Sequence, residues 1–417
     1  MNRYVITRQE IKGQEYQISA LYDEKKRMIE VLPESLEQSS ILGNIYIGRV
    51  ENIVQNLNAA FVKMSPNKRC YLSLEDVKHP VFTKKLSDKK PLVAGEELLV
   101  QVSREALKTK EPAVTTNLSF AGTCAVRTTG NRRIGVSSKL SAEQKRHYQE
   151  LLKHQDWLTK DCGIIIRTNA SELSDEALLA EIKALQERCS NLLETAQYKT
   201  CYSLLSEAPA IWEKHLSDLR LEELEEIVTD DRKIFEKLCA KYRIPEERLY
   251  TKGSVSAPVD MIETTEHIRL RYYADEQLSL SALYSVGANL EAAIKTRVWL
   301  KSGAYILIEH TEALTVIDVN TGKNVAKKGA KENFLKVNLE AAEEIARQLR
   351  LRNISGMILV DFINLTDKKA EEELLGTLRR AIRQDPIPTQ LIDMTPLGLV
   401  ELTRKKVRKS LREILGV

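Results

Sequence analysis

Between Thr311 and Leu365 the chain reads T-E-A-L-T-V-I-D-V-N-T-G-K-N-V, then a long helical stretch, then S-G-M-I-L-V-D-F-I-N-L. Two apolar runs each close on an acid, Asp318 and Asp361. Between them Leu335, Leu339, Ala342, Ala346 and Leu349 recur three and four residues apart, the spacing of one buried helix face. Strand, helix, strand over this length is a βαβ unit, so the two strands should lie parallel in one sheet. Side chains alternate along a strand, which puts Asp318 and Asn320 on one face and Leu359 and Asp361 on one face. Both acids then stand at the carboxyl ends of parallel strands, where open α/β sheets bind their ligands.

Two carboxylates with a nearby amide and lysine suit a magnesium ion, which takes one or two carboxylates together with water and phosphate oxygens. An ion so held can activate a water and stabilise the leaving oxygen of a phosphodiester. The competing reading is that each aspartate merely ends a strand or caps a helix. The loop that follows the first strand carries Lys323, Lys327, Lys328 and Lys331, where a polyanionic substrate would pass.

A chain of 417 residues should hold two to four domains. The net charge is only +4, so any nucleic-acid surface must be local. There is no apolar signal core at the N-terminus and no run of about 18 apolar residues, so no membrane span is expected. Six scattered cysteines without a C-x-x-C pair suggest reduced thiols and a cytoplasmic location. With no H-E-x-x-H pattern among the histidines, no zinc site is expected.

Residues 1 to about 37 read as short strands, with a hairpin turn at Asp23-Glu24-Lys25-Lys26, and are too few to fold alone. From Ile41 the texture changes. G-N-I-Y-I-G-R-V-E-N-I-V, A-A-F-V-K-M, R-C-Y-L-S-L and E-E-L-L-V-Q-V-S-R-E are short strands separated by polar turns, the pattern of a small barrel. Barrels of the OB type bind single-stranded nucleic acid through exposed aromatics and basic side chains, for which Phe61, Tyr71, Arg104 and Lys110 are candidates. Phe61 has two readings, barrel core or stacking surface, and Tyr71 can pack its ring while wetting its hydroxyl.

Further along, strand-like pieces at Thr123–Arg127 and Gly163–Arg167 bracket a helical segment near 141–153, and Ser174 caps a helix with Leu178, Ile182, Leu185 and Cys189 on its buried face. Asp218 to Ile227 reads as a polar helix, and Gly253-Ser254-Val255 as a loop. Beyond the βαβ unit a helix at 367–384, a strand at 389–393 and a last helix are expected. The last helix would bear Arg404, Lys405, Lys406, Arg408, Lys409 and Arg412, either an RNA-phosphate contact or a solvated basic face.

The stretches L-T-V-I-D-V-N and N-L-E-A-A-E-E-I-A-R-Q-L-R-L-R-N-I-S-G-M-I-L-V-D-F-I-N resemble the catalytic region of the RNase E/RNase G family of bacterial endoribonucleases. G-N-I-Y-I-G-R-V, A-A-F-V and M-T-P-L-G-L-V-E-L-T-R-K-K-V resemble it too, in the same order along nearly the whole chain. The resemblance implies an α+β and α/β multidomain fold. An RNase H-like subdomain (1–37 and 203–277) would be interrupted by an OB-fold RNA-binding barrel (38–120) and a 5′-sensor region (121–202). A DNase I-like catalytic subdomain (278–417) would follow. It implies that Asp318 and Asp361 bind magnesium, with manganese as the alternative ion, and that Asn320 supports them. It also implies that Phe61 and Tyr71 stack on RNA bases, that Lys110 contacts phosphate, and that Arg167 and Thr168 hold a 5′-monophosphate with backbone support near Gly122 and Val126. Two departures stand out. The family's C-P-x-C zinc link between protomers is missing before the chain stops at Val417, so any homodimer is expected without a zinc bridge. A further arginine of the 5′ pocket would fall near residue 388, where this chain reads Pro386-Ile387-Pro388.

The expected function is therefore magnesium-dependent endonucleolytic cleavage of single-stranded RNA, with 5′-monophosphorylated RNA the expected partner. Products would carry 5′-phosphate and 3′-hydroxyl ends, in ribosomal and transfer RNA processing and messenger decay. The rivals are a non-catalytic RNA-binding protein of the same fold and a nuclease acting on DNA.

Overall fold

The computed structural model describes residues 1–37, 40–105, 111–130, 133–155, 162–245, 261–264, 267–322 and 330–417. It divides into two compact units, Met1–Gln38 with Leu221–Val417, and Ser39–Arg220. Lys110, Lys323, Lys327, Lys328 and the Gly253-Ser254-Val255 loop lie outside the described residues. Among the described residues no helix is long and apolar enough to cross a membrane.

The first unit contains two six-stranded sheets. In one, the hairpin Asn2–Ile11 and Gln14–Tyr22 continues into Met28–Ser35 on one side. On the other side it pairs in parallel with Leu224–Thr229. The hairpin cannot close a core by itself: Val5, Ile18 and Ala20 are fully buried only because Leu280, Val286 and Leu290 pack with them. The polar helix expected over Asp218 to Ile227 is not there. A helix Ile211–Asp218 ends where it was to begin, and Leu224–Thr229 is a strand. Its acids look helical in sequence but serve cross-strand ion pairs, Glu225 with Arg269 and Glu226 with Arg3 and Arg271.

The second sheet runs in the order Arg297–Trp299, Tyr305–His310, Leu314–Asn320, Gly356–Asp361, Leu399–Arg404, Thr389–Met394. Leu314–Asn320 and Gly356–Asp361 are parallel neighbours joined through the helix Ala330–Leu351, the expected βαβ unit. Ile306, Ile308, Ile317, Val319, Ile358 and Val360 face this helix and Lys368–Arg383, meeting Ala341, Ala342, Ile345, Leu349, Leu374 and Leu378 in one core. Alternation sends Tyr305, Leu307, Asp318, Asn320, Leu359 and Asp361 to the opposite face, where all are half-buried or exposed.

The basic run near the C-terminus is not helical as expected. Arg404 ends a strand, and the final helix is only Leu411–Leu415. L-V-E-L-T-R alternates between the core and the open face, which fixes it as a strand. Arg404 is 3% exposed: its Nε donates to Asp385 at 2.7 Å and its Nη1 to Asn353 at 2.8 Å. It is a buried tie and has no surface to offer a phosphate.

In the second unit, Ile45–Val54, Ala59–Ser65, Lys68–Ser73, Ala113–Thr115 and Glu97–Arg104 pair in turn, and the last returns to the first, closing a five-stranded OB-like barrel. Gly48 permits the closure, because a Cβ there would stand 2.5 Å from Val62 and 3.0 Å from Val100. A four-stranded sheet follows, with Ala125–Thr128 antiparallel to Gly163–Ile166. It is backed by the helix Asp175–Ala196, capped by Ser174 and burying Leu178, Ile182, Leu185 and Cys189.

Candidate active site

Asp318 and Asp361 are register partners in the parallel pair, the last paired rung of the two strands. Paired strands lie about 4.8 Å apart, so two carboxylates on one face of this rung can share one cation. Asp318 is half-buried and Asp361 exposed, which leaves the pair open to a solvated ligand. Asn320, one rung further on the same face, donates its Nδ2 to the Oδ2 of Asp318 at 2.7 Å. That bond fixes one carboxylate oxygen and leaves Oδ1 without a hydrogen bond among the described residues. The turn after Asn320 passes against backbone: Gly322 has φ +64°, and a Cβ on it would sit 2.4 Å from the carbonyl oxygen of Gly303. Only glycine fits there.

The donors are oxygen only. Among the described residues no three His, Cys, Asp or Glu side chains cluster as a metal cage. Two carboxylates in an open setting fit a hard ion that keeps most of its waters, and magnesium is such an ion.

Asn338 was not singled out by sequence reading. It is fully buried on the helix Ala330–Leu351. Its Nδ2 donates to the carbonyl of Ile363 at 2.7 Å, and its Oδ1 accepts from the Ile363 N–H at 3.1 Å. Both backbone groups two residues beyond Asp361 are thereby held by one side chain. The signal was present in the sequence, as an amide within the period of an otherwise apolar helix face.

On the barrel, Phe61 and Tyr71 are direct cross-strand partners with ring centroids 6.4 Å apart. Their neighbours Ala60, Val62, Cys70 and Leu72 are fully buried, so alternation turns both rings outward, and both are half-buried. Phe61 is not among the residues of the barrel core. Arg69 lies 4.6 Å over the Phe61 ring and is ion-paired with Glu111 at 2.7 Å. Arg104 is exposed at the end of its strand.

In the four-stranded sheet, Arg167 follows Gly163–Ile166. Its Nη1 donates to the carbonyl of Gly122 at 3.0 Å and its Nη2 pairs with Asp218. Thr168 hydrogen-bonds Ser137 at 3.0 Å, and Val126 lies opposite Ile165. The backbone N–H groups of Cys124 and Ala125 both donate to Glu181 Oε1, at 2.8 and 3.0 Å. A Cβ at Gly122 would stand 2.3 Å from that oxygen, so the glycine admits the carboxylate. Sequence reading missed Asp218 and Glu181; their partners are remote in sequence.

The Ribonuclease E/G family model matches residues 119–407. The chain is a member of the ribonuclease E/G family. It is 32% identical over 403 residues to Ribonuclease G of Salmonella typhimurium, covering 93% of this chain and 77% of that protein. It is 31% identical over 400 residues to Ribonuclease G of Escherichia coli K12, with the same coverage. Against Ribonuclease E of a Nostoc species it is 31% identical over 414 residues, which is 98% of this chain and 57% of that protein. The family match includes the strands of Asp318 and Asp361, the Asn338 clamp and the Arg167 region.

Proposed function

We propose that this ribonuclease E/G family chain is a magnesium-dependent endoribonuclease acting on single-stranded RNA. The observation that carries the reading is the register pairing of Asp318 with Asp361 on an open sheet face, with Asn320 holding one carboxylate. A magnesium ion bound there would supply an acidified water and neutralise charge building on the phosphodiester. Asp318 and Asp361 provide its anionic ligands. Asn320 keeps Asp318 from rotating, which holds the unbonded oxygen toward the open face. In the cleavage, water oxygen bonds to phosphorus as the bond to the 3′ oxygen breaks. The leaving oxygen takes up a proton, giving 3′-hydroxyl and 5′-phosphate ends. The protein's own contribution is to fix these groups before the substrate arrives.

In this reading the first unit joins an RNase H-like sheet to a DNase I-like catalytic sheet, and the barrel supplies affinity. Phe61 and Tyr71 stack on bases, and Lys110 meets the backbone. Arg167, Thr168, Gly122 and Val126 form a pocket for a 5′-monophosphate. Arg167 also pairs with Asp218, which competes with an incoming phosphate, and Pro388 stands near the position of the family's further arginine, so weaker end selection is part of the proposal. Processing of ribosomal and transfer RNA, messenger decay, a cytoplasmic setting and a homodimer without zinc complete the proposal.

The test is product mapping on one short unstructured RNA, prepared with 5′-monophosphate and with 5′-triphosphate, with magnesium or with EDTA. Internal cuts with the stated ends, seen only with the ion, are expected. Binding without cleavage under every condition would leave the non-catalytic reading in its place.

A further inference from the structure

The open face of the catalytic sheet carries an aromatic group outside the machinery described so far. Trp299, on the edge strand Arg297–Trp299, is 62% exposed. It is the register partner of Tyr305, whose ring lies 5.3 Å from it at a steep angle. Arg297 stands over both rings, 5.6 Å from Trp299 and 4.6 Å from Tyr305. Among the described residues Arg297 has no carboxylate partner, and Lys295 and Lys301 beside this strand are also exposed.

The register ties this group to the acids. Tyr305 pairs with Asn320, so Trp299, Tyr305 and Asn320 form one row across three strands. Arg297, Leu307, Asp318 and Asp361 form the adjacent row. Cross-strand partners share a face, so the rings, the guanidinium and both carboxylates are presented together.

A tryptophan spends most of its large apolar area in water here, and among the described residues no carboxylate pairs with the arginine beside it. A nucleobase needs a flat apolar surface, and its phosphate needs an unpaired cation; this group offers both in one place. We propose that Trp299, Tyr305 and Arg297 form a nucleobase-stacking subsite for single-stranded RNA, seating an unpaired base next to the phosphate that lies at Asp318 and Asp361. The subsite rests on the nuclease reading for what occupies the acids. Trp299 supplies the stacking face, Tyr305 braces it from the neighbouring strand, and Arg297 meets the backbone. It is separate from Phe61 and Tyr71, which lie in the other unit.

The test uses the full chain with EDTA, so that RNA stays intact, and a fluorescein-labelled unstructured oligoribonucleotide of A and U. Trp299→Ala should weaken binding by at least about fivefold, the low end for one lost stack, and Trp299→Phe should stay near the parent. The parent's intrinsic fluorescence should be quenched on binding, and the quench should shrink in Trp299→Phe. Arg297→Ala should weaken binding and lower its salt dependence. Equal affinity of parent and Trp299→Ala, with RNA bound by both, would overturn the subsite and leave the nuclease reading standing. A change in sedimentation on Trp299→Ala without loss of RNA affinity would overturn it in favour of a contact between copies. If the parent cleaves no RNA with magnesium, the nuclease reading fails first, and that result is read in a different assay.

Discussion

Asp318 and Asp361 belong to strands joined by a helix of more than five turns, yet they meet on one rung of a parallel pair. The meeting is set by backbone register, so it does not depend on the side chains attracting each other. The core that contains Ile317 and Val360 fixes the two strands, and with them the positions of both acids.

The clamp beneath Asp361 gives the first prediction. Asn338→Leu removes both bonds to the half-buried Ile363 and strips its N–H and C=O of these partners, at up to about 1–3 kcal/mol for each group. We predict a lower Tm, and in the protein that remains folded a lower kcat at nearly unchanged KM and a higher magnesium requirement. A variant with reduced Tm but wild-type kcat and magnesium dependence would make Asn338 structural only.

Barrel stacking is tested at Phe61. The ring is half-buried and lies outside the barrel core, so Phe61→Ala should change Tm little. RNA affinity should fall by about 1–3 kcal/mol. Filter binding and thermal melting on the same preparation check this. A large loss of Tm with RNA affinity preserved would return Phe61 to a packing role.

The proposed 5′-end pocket is tested through Arg167. Its partnership with Asp218 competes with any incoming phosphate. Asp218→Asn should therefore raise the preference for 5′-monophosphorylated over 5′-hydroxyl RNA by about tenfold, the worth of one charged hydrogen bond. The measurement is the ratio of kcat/KM for the two RNAs. An unchanged ratio would show that Arg167 does not read the end.

Glu96 gives a pH prediction. Burial pushes its carboxyl up, but N–H bonds from Leu86, Val93 and Ser87 and the charge of Lys85 outweigh that, and its pKa lies below the ordinary value. A depressed pKa in the folded state means that the unfolded chain takes up the proton first. The stabilisation is present above the unfolded pKa and is lost as pH falls through the folded one. Melting followed from neutral to acid pH should show a shallower loss in Glu96→Gln than in the parent. Parallel curves would contradict the assignment.

The βαβ unit was legible because two periods, alternating and helical, switch at clear boundaries around Asp318 and Asp361. Asn320 was legible for the same reason, since it shares a strand with one acid. What stayed hidden depends on partners far away in sequence. Leu224–Thr229 looked helical from its run of acids, and the arginines that its glutamates meet lie on other strands. Arg404 looked like surface because nothing in its neighbourhood of sequence announces Asp385 and Asn353 as partners. The Trp299 and Tyr305 pair needed the register of three strands before it could be seen beside Asn320.

The most direct measurement is cleavage and binding of one single-stranded RNA by the parent and by Asp318→Asn, with magnesium. Asparagine keeps the shape and removes the charge at a half-buried position, so folding should be retained. The account predicts RNA affinity close to the parent's and cleavage lowered by at least about a thousandfold, as loss of an anionic ligand to a catalytic ion implies. Cleavage by Asp318→Asn at the parent's rate would contradict it.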